Sequence, residues 1–342
     1  MKILVTGGAG YIGSHFLTEA VRHTDWELIS VDNFINSSPE VFKRITKITG
    51  KEIRNFNTDL RIRGEVEKIF HSNPGITGIV HFAALKTVPE SVQKPILYYD
   101  NNINGLLNLI QATETYKVPY FIFSSSCSVY GNVNRLPVDE STPLGLAQSP
   151  YAHTKQIGES IIEQVARHVR LKAISLRYFN PVGADPSGLN GEDPINVPNN
   201  LLPVITQVAS GITAKLMIFG NDYDTRDGTC VRDYIHVSDI AMAHINALQY
   251  LHQGKAEQNH EILNLGTGNG ITVMEVIKAF EKVTGKKLNY EIGPRRPGDV
   301  EAVYSDTKLS ESKLGWKPRY DLDEMILSAW KWQLVLNQEA GI

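Results

Sequence analysis

The chain has 342 residues, 42% hydrophobic and 21% charged, with 27 Gly and 16 Pro; this is globular composition and excludes a disordered, collagen-like or coiled-coil chain. Lysine and arginine number 34 against 37 aspartates and glutamates, a net charge of −3, so no nucleic-acid partner is expected from a chain without the basic excess that phosphate tracking requires. The length suits about two domains, and the only cysteines, Cys127 and Cys230, are too far apart in sequence for a C-x-x-C pair and suit a thiol-reducing cytosol.

The opening MKILVTGGAG is a strand-like run that reaches glycines too soon for the apolar core of a secretory leader. No apolar run is long enough to predict a membrane span. A soluble, cytoplasmic protein is expected. Apolar, β-branched runs at 3–5, 28–31, 78–82, 120–123 and 173–176 alternate with helical patterns near 12–22, 66–72, 98–116 and 151–169. Strands without polar alternation predict a parallel sheet covered on both faces, and right-handed crossovers make it doubly wound, an α/β fold of the Rossmann type.

After residue 180 the texture changes. Residues 181–200, PVGADPSGLNGEDPINVPNN, predict an excursion from the sheet and a boundary near 180. The GEDP run at 191–194 reads as a solvated turn. Further on, VRDYIHVSDIA leads into a helix with Ser238 as the expected N-cap, and 262–265 reads as a strand returning to the main sheet. Thr272-Val-Met-Glu275 has the pattern of a capping box. The expected division is a dinucleotide-binding domain over 1–180, rejoined by segments at about 234–270, with a smaller interleaved α/β lobe drawn mainly from 181–342.

Gly8, Gly10 and Gly13 satisfy G-x-G-x-x-G between the first strand and first helix, and Gly7, Gly10 and Gly13 the related G-x-x-G-x-x-G. Such glycines allow a tight turn, backbone approach to a pyrophosphate and close helix–strand packing, with the helix N-terminus facing the phosphates. Asp32 closes the second strand 19 residues after Gly13. Its carboxylate can accept from both ribose hydroxyls and repels a 2′-phosphate, which favours NAD over NADP. The stretch Gly266-Thr-Gly268-Asn-Gly270 also follows a strand, but its spacing is wrong and it reads as a turn.

Tyr-x-x-x-Lys occurs at Tyr151/Lys155 and again at Tyr304/Lys308. Context separates them. Ser149-Pro150 reads as N-cap and first helical residue, which places Tyr151 and Lys155 one turn apart on one helix face. Upstream, a strand ends in Ser124-Ser125-Ser126 at the carboxyl edge of the sheet, where open α/β sheets bind ligands. A serine hydroxyl, a phenol and an ammonium beside a nicotinamide make a hydride-transfer site. The lysine stabilises the phenolate, which takes the proton of a substrate alcohol. No H-E-x-x-H or Cys/His cluster competes as a metal site.

With TGGAGYIGSH, Asp32-Asn33, SSSCSVYG and YAHTK in place, the chain resembles the extended short-chain dehydrogenase/reductase family. HFAALKTVPES, YYDNNINGLLNLI, LRYFNPVGA, GEDPINVPNNLLP, IFGNDYDTRDGTCVRDYIHVSD and RRPGDV are similar to the branch of that family that epimerises UDP-hexoses. The resemblance implies Tyr151, Lys155 and Ser126 as catalytic residues. It implies NAD held by Gly7, Gly10, Tyr11, Ile12, Gly13, Asp32, Asn33, Asp59, Leu60, Phe82, Ala83, Ala84, Lys86, Asn101, Ser124 and Tyr178, together with Tyr151 and Lys155. The UDP-sugar would meet Lys86, Ser126, Tyr151, Phe179, Asn180, Asn200, Leu201, Met217, Ile218, Phe219, Arg232, Arg296, Asp299 and Val303. Arg232 and Arg296 can clamp a diphosphate bidentately, although a solvated surface charge is the plain alternative for each.

The expected activity is reversible epimerisation of UDP-glucose and UDP-galactose at carbon 4 through a 4-keto sugar. A small residue at Val303 implies room for an N-acetyl group, provided the aromatic Tyr304 beside it does not occupy the same wall. A nucleotide-sugar 4,6-dehydratase is the alternative enzyme, but the Asp–Glu pair that family would place after Ser126 is here Cys127-Ser128. A non-catalytic NAD-sensing protein is a further alternative. The resemblance also implies a homodimer through the helices near 98–116 and 151–169.

Overall fold

A computed structural model describes residues 1–133, 135–195, 198, 200–296 and 300–341. β1 (Lys2–Thr6) runs through glycines into α1 (Tyr11–His23). β2 (Glu27–Val31), α2 (Glu40–Thr49), β3 (Arg54–Phe56), α3 (Arg63–Ser72) and β4 (Gly78–His81) repeat the alternation. Next come α4 (Val88–Gln93), α5 (Pro95–Tyr99), α6 (Gly105–Tyr116), β5 (Tyr120–Ser126), α7 (Pro150–His168) and β6 (Lys172–Tyr178). Beyond them lie β7 (Asn180–Val182), α8 (Leu201–Ala209), β8 (Leu216–Phe219), β9 (Val231–His236), α9 (Val237–His252), β10 (His260–Leu265) and β11 (Gly270–Thr272). The chain closes with α10 (Val273–Thr284), β12 (Tyr290–Gly293), β13 (Ala302–Val303), α11 (Lys308–Leu314) and α12 (Leu322–Ala340).

Seven strands form one sheet in the order β10-β6-β5-β4-β1-β2-β3, every pair parallel. The order reverses between β1 and β4, and a crevice opens there at the carboxyl ends of the strands. β1 shows why no polar alternation was visible. Ile3 and Val5 pack with Phe16, Leu17 and Leu248 on one face, and Leu4 packs with Ile79, Leu106 and Phe121 on the other. β10 rejoins the sheet beside β6, as its sequence predicts. A smaller sheet of β11-β9-β13, with β7 on β9, and the pair β12-β8 lie over a separate core that includes Leu202, Ile205, Phe280, Met325 and Ile326. No helix among the described residues is long and apolar enough to cross a membrane.

The capping box at Thr272 and Glu275 forms as its pattern predicts. Elsewhere tertiary contacts override local signals. The helix expected over 98–116 starts at Pro95 and carries a π-helical turn over Asp100–Asn104. The wider turn turns Asn102 inward, where its amide exchanges hydrogen bonds with the Leu85 backbone and donates to Thr154. α2 and β3 go unforeseen, the latter because three half-polar residues carry no period. Ser238 is not the N-cap of α9. His236 is, its Nδ1 accepting from the Ser238 amide while its ring stacks on Tyr320 at 4.0 Å. The GEDP turn is solvated only in part: Asp193 is exposed, but Gly191 is buried, Trp332 donates to the Glu192 carbonyl, and a Cβ on Gly191 would fall 2.4 Å from the Trp332 ring.

Burial depresses the imidazoles of His81 and His236 to about 3 and that of His244 to about 4. Each is therefore neutral when folded but takes a proton when unfolded below its ordinary pKa of about 6.5. Their stabilisation is complete above that pH and is lost as pH falls toward their folded values, by up to about 1.4 kcal/mol per pH unit for each histidine. Denaturant midpoints should hold between pH 8 and 7 and fall steeply from pH 6.5 to 5. A flat profile through that window would refute the assignment.

Candidate active site

Three glycines shape the crevice between β1 and β4. Gly7 has φ +73° and lies so close to the chain after β4 that a Cβ would meet the Ala83 nitrogen at 2.6 Å. A Cβ on Gly13 would meet the Gly7 carbonyl at 2.1 Å, so only glycine lets α1 start this near the turn. Gly10, the N-cap, offers no side chain, and no acidic residue occupies the first turn of α1. That leaves the first-turn amides and the positive end of the helix dipole for an anion.

Asp32 sits at the end of β2, but its carboxylate is more engaged than its spacing suggests. One oxygen accepts from the Ala9 amide at 2.9 Å; the other accepts from the Phe34 amide and the Ser37 hydroxyl. The residue thus ties the glycine turn to the loop after β2. The Asp59 carboxylate is occupied by Arg61, which also reaches Asp100, and is held below its ordinary range by that guanidinium. Leu60 is buried in the core and its carbonyl accepts from Asn108, so it borders the crevice through the backbone. Asn33 turns its side chain to the Ile35 amide, and Asn101 donates to Asn102. Phe82 and Ala83 both donate backbone N–H groups to the Thr6 carbonyl, and Ile12 packs against the core. The glycine cradle, the uncapped helix end and the carboxylate closing β2 together fit a dinucleotide.

The chemistry gathers at the carboxyl end of β5. Ser149 caps α7 by accepting from the Ala152 amide, Pro150 follows, and Tyr151 and Lys155 share one face as the spacing predicts. α7 can lie close to the sheet because Gly158 faces Phe123, where a Cβ would come within 2.6 Å of the ring. Ser126, the last residue of β5, pairs in register with Tyr178 on β6, and its hydroxyl lies close enough to the Tyr151 phenol to favour the phenolate. Lys155 is buried and donates to the Ser124 carbonyl at 2.7 Å, its Nζ 5.8 Å from the centre of the Tyr151 ring. Burial lowers that ammonium to about 8 and raises the phenol to about 12, the Ser126 hydroxyl opposing the rise. Lys155 therefore stands across a gap from the Tyr151 ring, its ammonium bonded to the strand end. Tyr178 is half-buried, and its phenol is pushed up by desolvation.

The residues behind these carry no signal in the linear pattern. Ser125 and Arg177 share the Glu159 carboxylate, and Tyr130 lies under the Arg177 guanidinium at 4.9 Å. Nothing in their spacing marks them, because they meet only through the pairing of β5 with β6 and the seating of α7.

On the far side of the crevice Phe179 is buried, and the Asn180 side-chain oxygen is buried without a hydrogen-bond partner, an acceptor poised for a donor. Val303 pairs with Arg232 across β13 and β9 and packs with Phe179, Val129, Tyr130 and Val138. Tyr304 points elsewhere, against Gly270. Arg232 also bears on the Cys127 thiol, which puts its guanidinium near the end of β5. On β8, Phe219 is exposed beneath the Arg296 guanidinium, whereas the Ile218 side chain lies in the core of the smaller lobe. Met217 alternates with it and Leu201 is half-buried beside that core, so Ile218 can contribute only its backbone. Lys86 and Asn200 both reach Glu192, from opposite walls. Asp299 lies outside the described residues.

A family model described as GDP-mannose 4,6 dehydratase matches residues 4–328. The chain is 47% identical to the UDP-glucose 4-epimerase of Pasteurella multocida (strain Pm70), over 97% of both chains. It is similar to the structure of UDP-glucose 4-epimerase from Stenotrophomonas maltophila with bound NAD and formylated UDP-arabinopyranose, at TM-score 0.95 and 43% identity over 99% of each chain. A UDP-glucose 4-epimerase from Bifidobacterium longum in complex with NAD+ and UDP matches at TM-score 0.93 and 44% identity over 98% of each chain.

Asp32→Ala removes the acceptor shared by Ala9, Phe34 and Ser37, and with it the carboxylate expected from the sequence to accept from ribose hydroxyls. Purified Asp32→Ala should lose nicotinamide dinucleotide on prolonged dialysis at least tenfold faster than wild type, since hydrogen bonds to a charged group contribute about 1.5–3 kcal/mol. Cofactor absorbance and mass analysis of the dialysed protein measure this. Equal retention would mean the carboxylate only shapes the loop.

Proposed function

The chain belongs to the UDP-glucose 4-epimerases of the extended short-chain dehydrogenase/reductase family, and from that footing we propose that it interconverts UDP-glucose and UDP-galactose using the residues gathered at the end of β5. The observation that carries this reading is the meeting of the Ser126 hydroxyl, the Tyr151 phenol and the buried Lys155 ammonium beside the glycine cradle. When bound, NAD supplies a nicotinamide that accepts a hydride and gives it back.

Tyr151 takes the proton from the carbon-4 hydroxyl as the 4-keto sugar forms and returns it in the reverse sense. Ser126 orients the same oxygen, and the ammonium at Lys155 favours the phenolate. Burial alone leaves the phenol too weakly acidic for neutral pH, so the positive charges of the occupied site must lower it. Arg232 and Arg296 hold the diphosphate and Phe219 borders the base, which grips the nucleotide and leaves the hexose free to turn its other face. Because the redox change closes within one turnover, the cofactor need not exchange.

The dehydratase alternative lacks support at the same place. Water loss needs an acid and a base after the strand-end hydroxyl, and Cys127 there is pushed up to about 12 by burial, with Ser128 next to it. Incubation of wild type with UDP-galactose, without added NAD, should yield UDP-glucose and no stable keto sugar. Accumulation of a keto product would favour dehydration.

Tyr151→Phe should keep the fold and the bound cofactor while losing activity about 10²–10⁴-fold. Lys155→Met removes a positive charge that favours the phenolate, so its pKa rises and the rate-against-pH curve moves to higher pH. The activity deficit of Lys155→Met should therefore be larger at pH 7 than at pH 9.5, measured as kcat with saturating UDP-galactose. A deficit independent of pH would remove the lysine from the proton transfer.

Val303 packs against Phe179 at the sugar end, with Tyr304 turned away toward Gly270. We propose that this wall admits an N-acetyl group. Wild type should epimerise UDP-N-acetylgalactosamine within about tenfold of UDP-galactose, and Val303→Tyr should lose the acetylated sugar selectively; a pocket of this kind typically discriminates by 10–200-fold. Comparing the two sugars in both proteins decides it.

A further inference from the structure

We infer that Glu192 is a positioning residue that holds Lys86 and Asn200 together across the crevice, so that one carboxylate sets the cofactor-side and nucleotide-side walls for UDP binding. This rests on the placement of UDP proposed above. One Glu192 oxygen accepts from the Lys86 ammonium at 3.1 Å and from the Asn200 amide at 2.7 Å. Lys86 follows β4 at the carboxyl edge of the sheet, and Asn200 is the N-cap residue of α8.

Two features show that the arrangement is not explained by stability. Lys86 is 58% exposed, and an ion pair of that kind contributes little to folding. Asparagine is among the best helix N-caps, yet the Asn200 side chain makes no capping hydrogen bond and turns to Glu192 instead.

The carboxylate is placed from behind by the last helix. Trp332 on α12 donates to the Glu192 carbonyl at 2.9 Å, and Gly191 packs flat on its ring. Arg44 stacks over the Trp332 ring at 4.6 Å and pairs with Asp193 and Glu339. A turn anchored this firmly keeps the carboxylate side chain only 12% exposed, aimed into the crevice. Removing it frees the Lys86 and Asn200 side chains, whose ordering then weakens nucleotide binding.

The test measures UDP affinity by calorimetry for wild type, Glu192→Gln, Glu192→Ala, Asn200→Ala and the Glu192→Ala/Asn200→Ala double variant. Glu192→Gln keeps an acceptor for Asn200 and loses the negative charge that faces Lys86, so it should bind UDP a few fold more weakly. Glu192→Ala should bind about tenfold more weakly, the size of one hydrogen bond to a charged group. The double variant should lose less affinity than the product of the two single losses, because the Asn200 part of the Glu192 effect runs through the contact both substitutions remove. With UDP-galactose the loss should fall on KM, not kcat. Unchanged or tighter UDP binding in Glu192→Ala overturns the inference, as do losses that multiply in the double variant. A lowered thermal midpoint with unchanged affinity also overturns it, leaving Glu192 a brace for its loop. Wild-type turnover of UDP-galactose is scored separately, so failure of the functional reading is distinguishable from failure of this one.

Discussion

A buried ammonium has to be paired, and in this protein that requirement ties the chemistry to the sheet. Leaving the Lys155 charge without a partner in the interior would cost several kcal/mol. The Ser124 carbonyl at the end of β5 accepts it, in a position that α7 reaches only because Gly158 lets the helix close on Phe123. Once that bond is made, Tyr151 stands one turn earlier over Ser126, and the phenol, hydroxyl and ammonium share one edge of the sheet. The pairing of β5 with β6 brings Tyr178 alongside, and the buried Glu159–Arg177 pair locks the strands beneath. The polar edge is affordable because both faces of the sheet behind it are apolar and closed.

The two walls of the crevice are built by opposite means. The dinucleotide wall is almost all backbone: a turn too tight for side chains at Gly7 and Gly13, an uncapped helix end, and Asp32 bonded to amides on either side. The facing wall is made of side chains carried on short strands and loops of the smaller lobe, including Asn180, Phe179, Val303 and Arg232. On the proposed function, a cofactor that stays through every turnover suits the rigid backbone wall, and a hexose that must turn suits the other. Tyr11 crosses between them, its phenol donating to the Gly183 carbonyl at 2.6 Å. Glu192 crosses again lower down, toward Lys86 and Asn200.

Much of this was legible locally. The glycine turn, the Ser149 cap, the Thr272 box and the strand read at 262–265 each depend on residues within a few positions of one another, and each forms as its pattern predicts, the strand starting two residues earlier at His260. The failures share a cause. Ser238 loses the N-cap to His236 because a ring stacked on Tyr320 from another element outcompetes a local hydroxyl. The π turn at Asp100–Asn104 answers to Leu85 and Thr154, and the polar GEDP turn is covered by Trp332 from the last helix.

By itself the sequence determined the alternation of elements, the parallel sheet and the identity of the chemical groups at its edge, since periodicity, turn residues and short motifs act over a helical turn or a strand. Tertiary structure alone decided what those groups feel. Burial, which no local pattern reports, puts the phenol near 12 and the lysine near 8. Side-chain direction on a strand settles that Val303 faces Phe179 while Tyr304 faces Gly270, and that Ile218 turns into the core. Those outcomes hang on register and on contacts between residues far apart in the chain, which exist only once the sheet has closed its two faces.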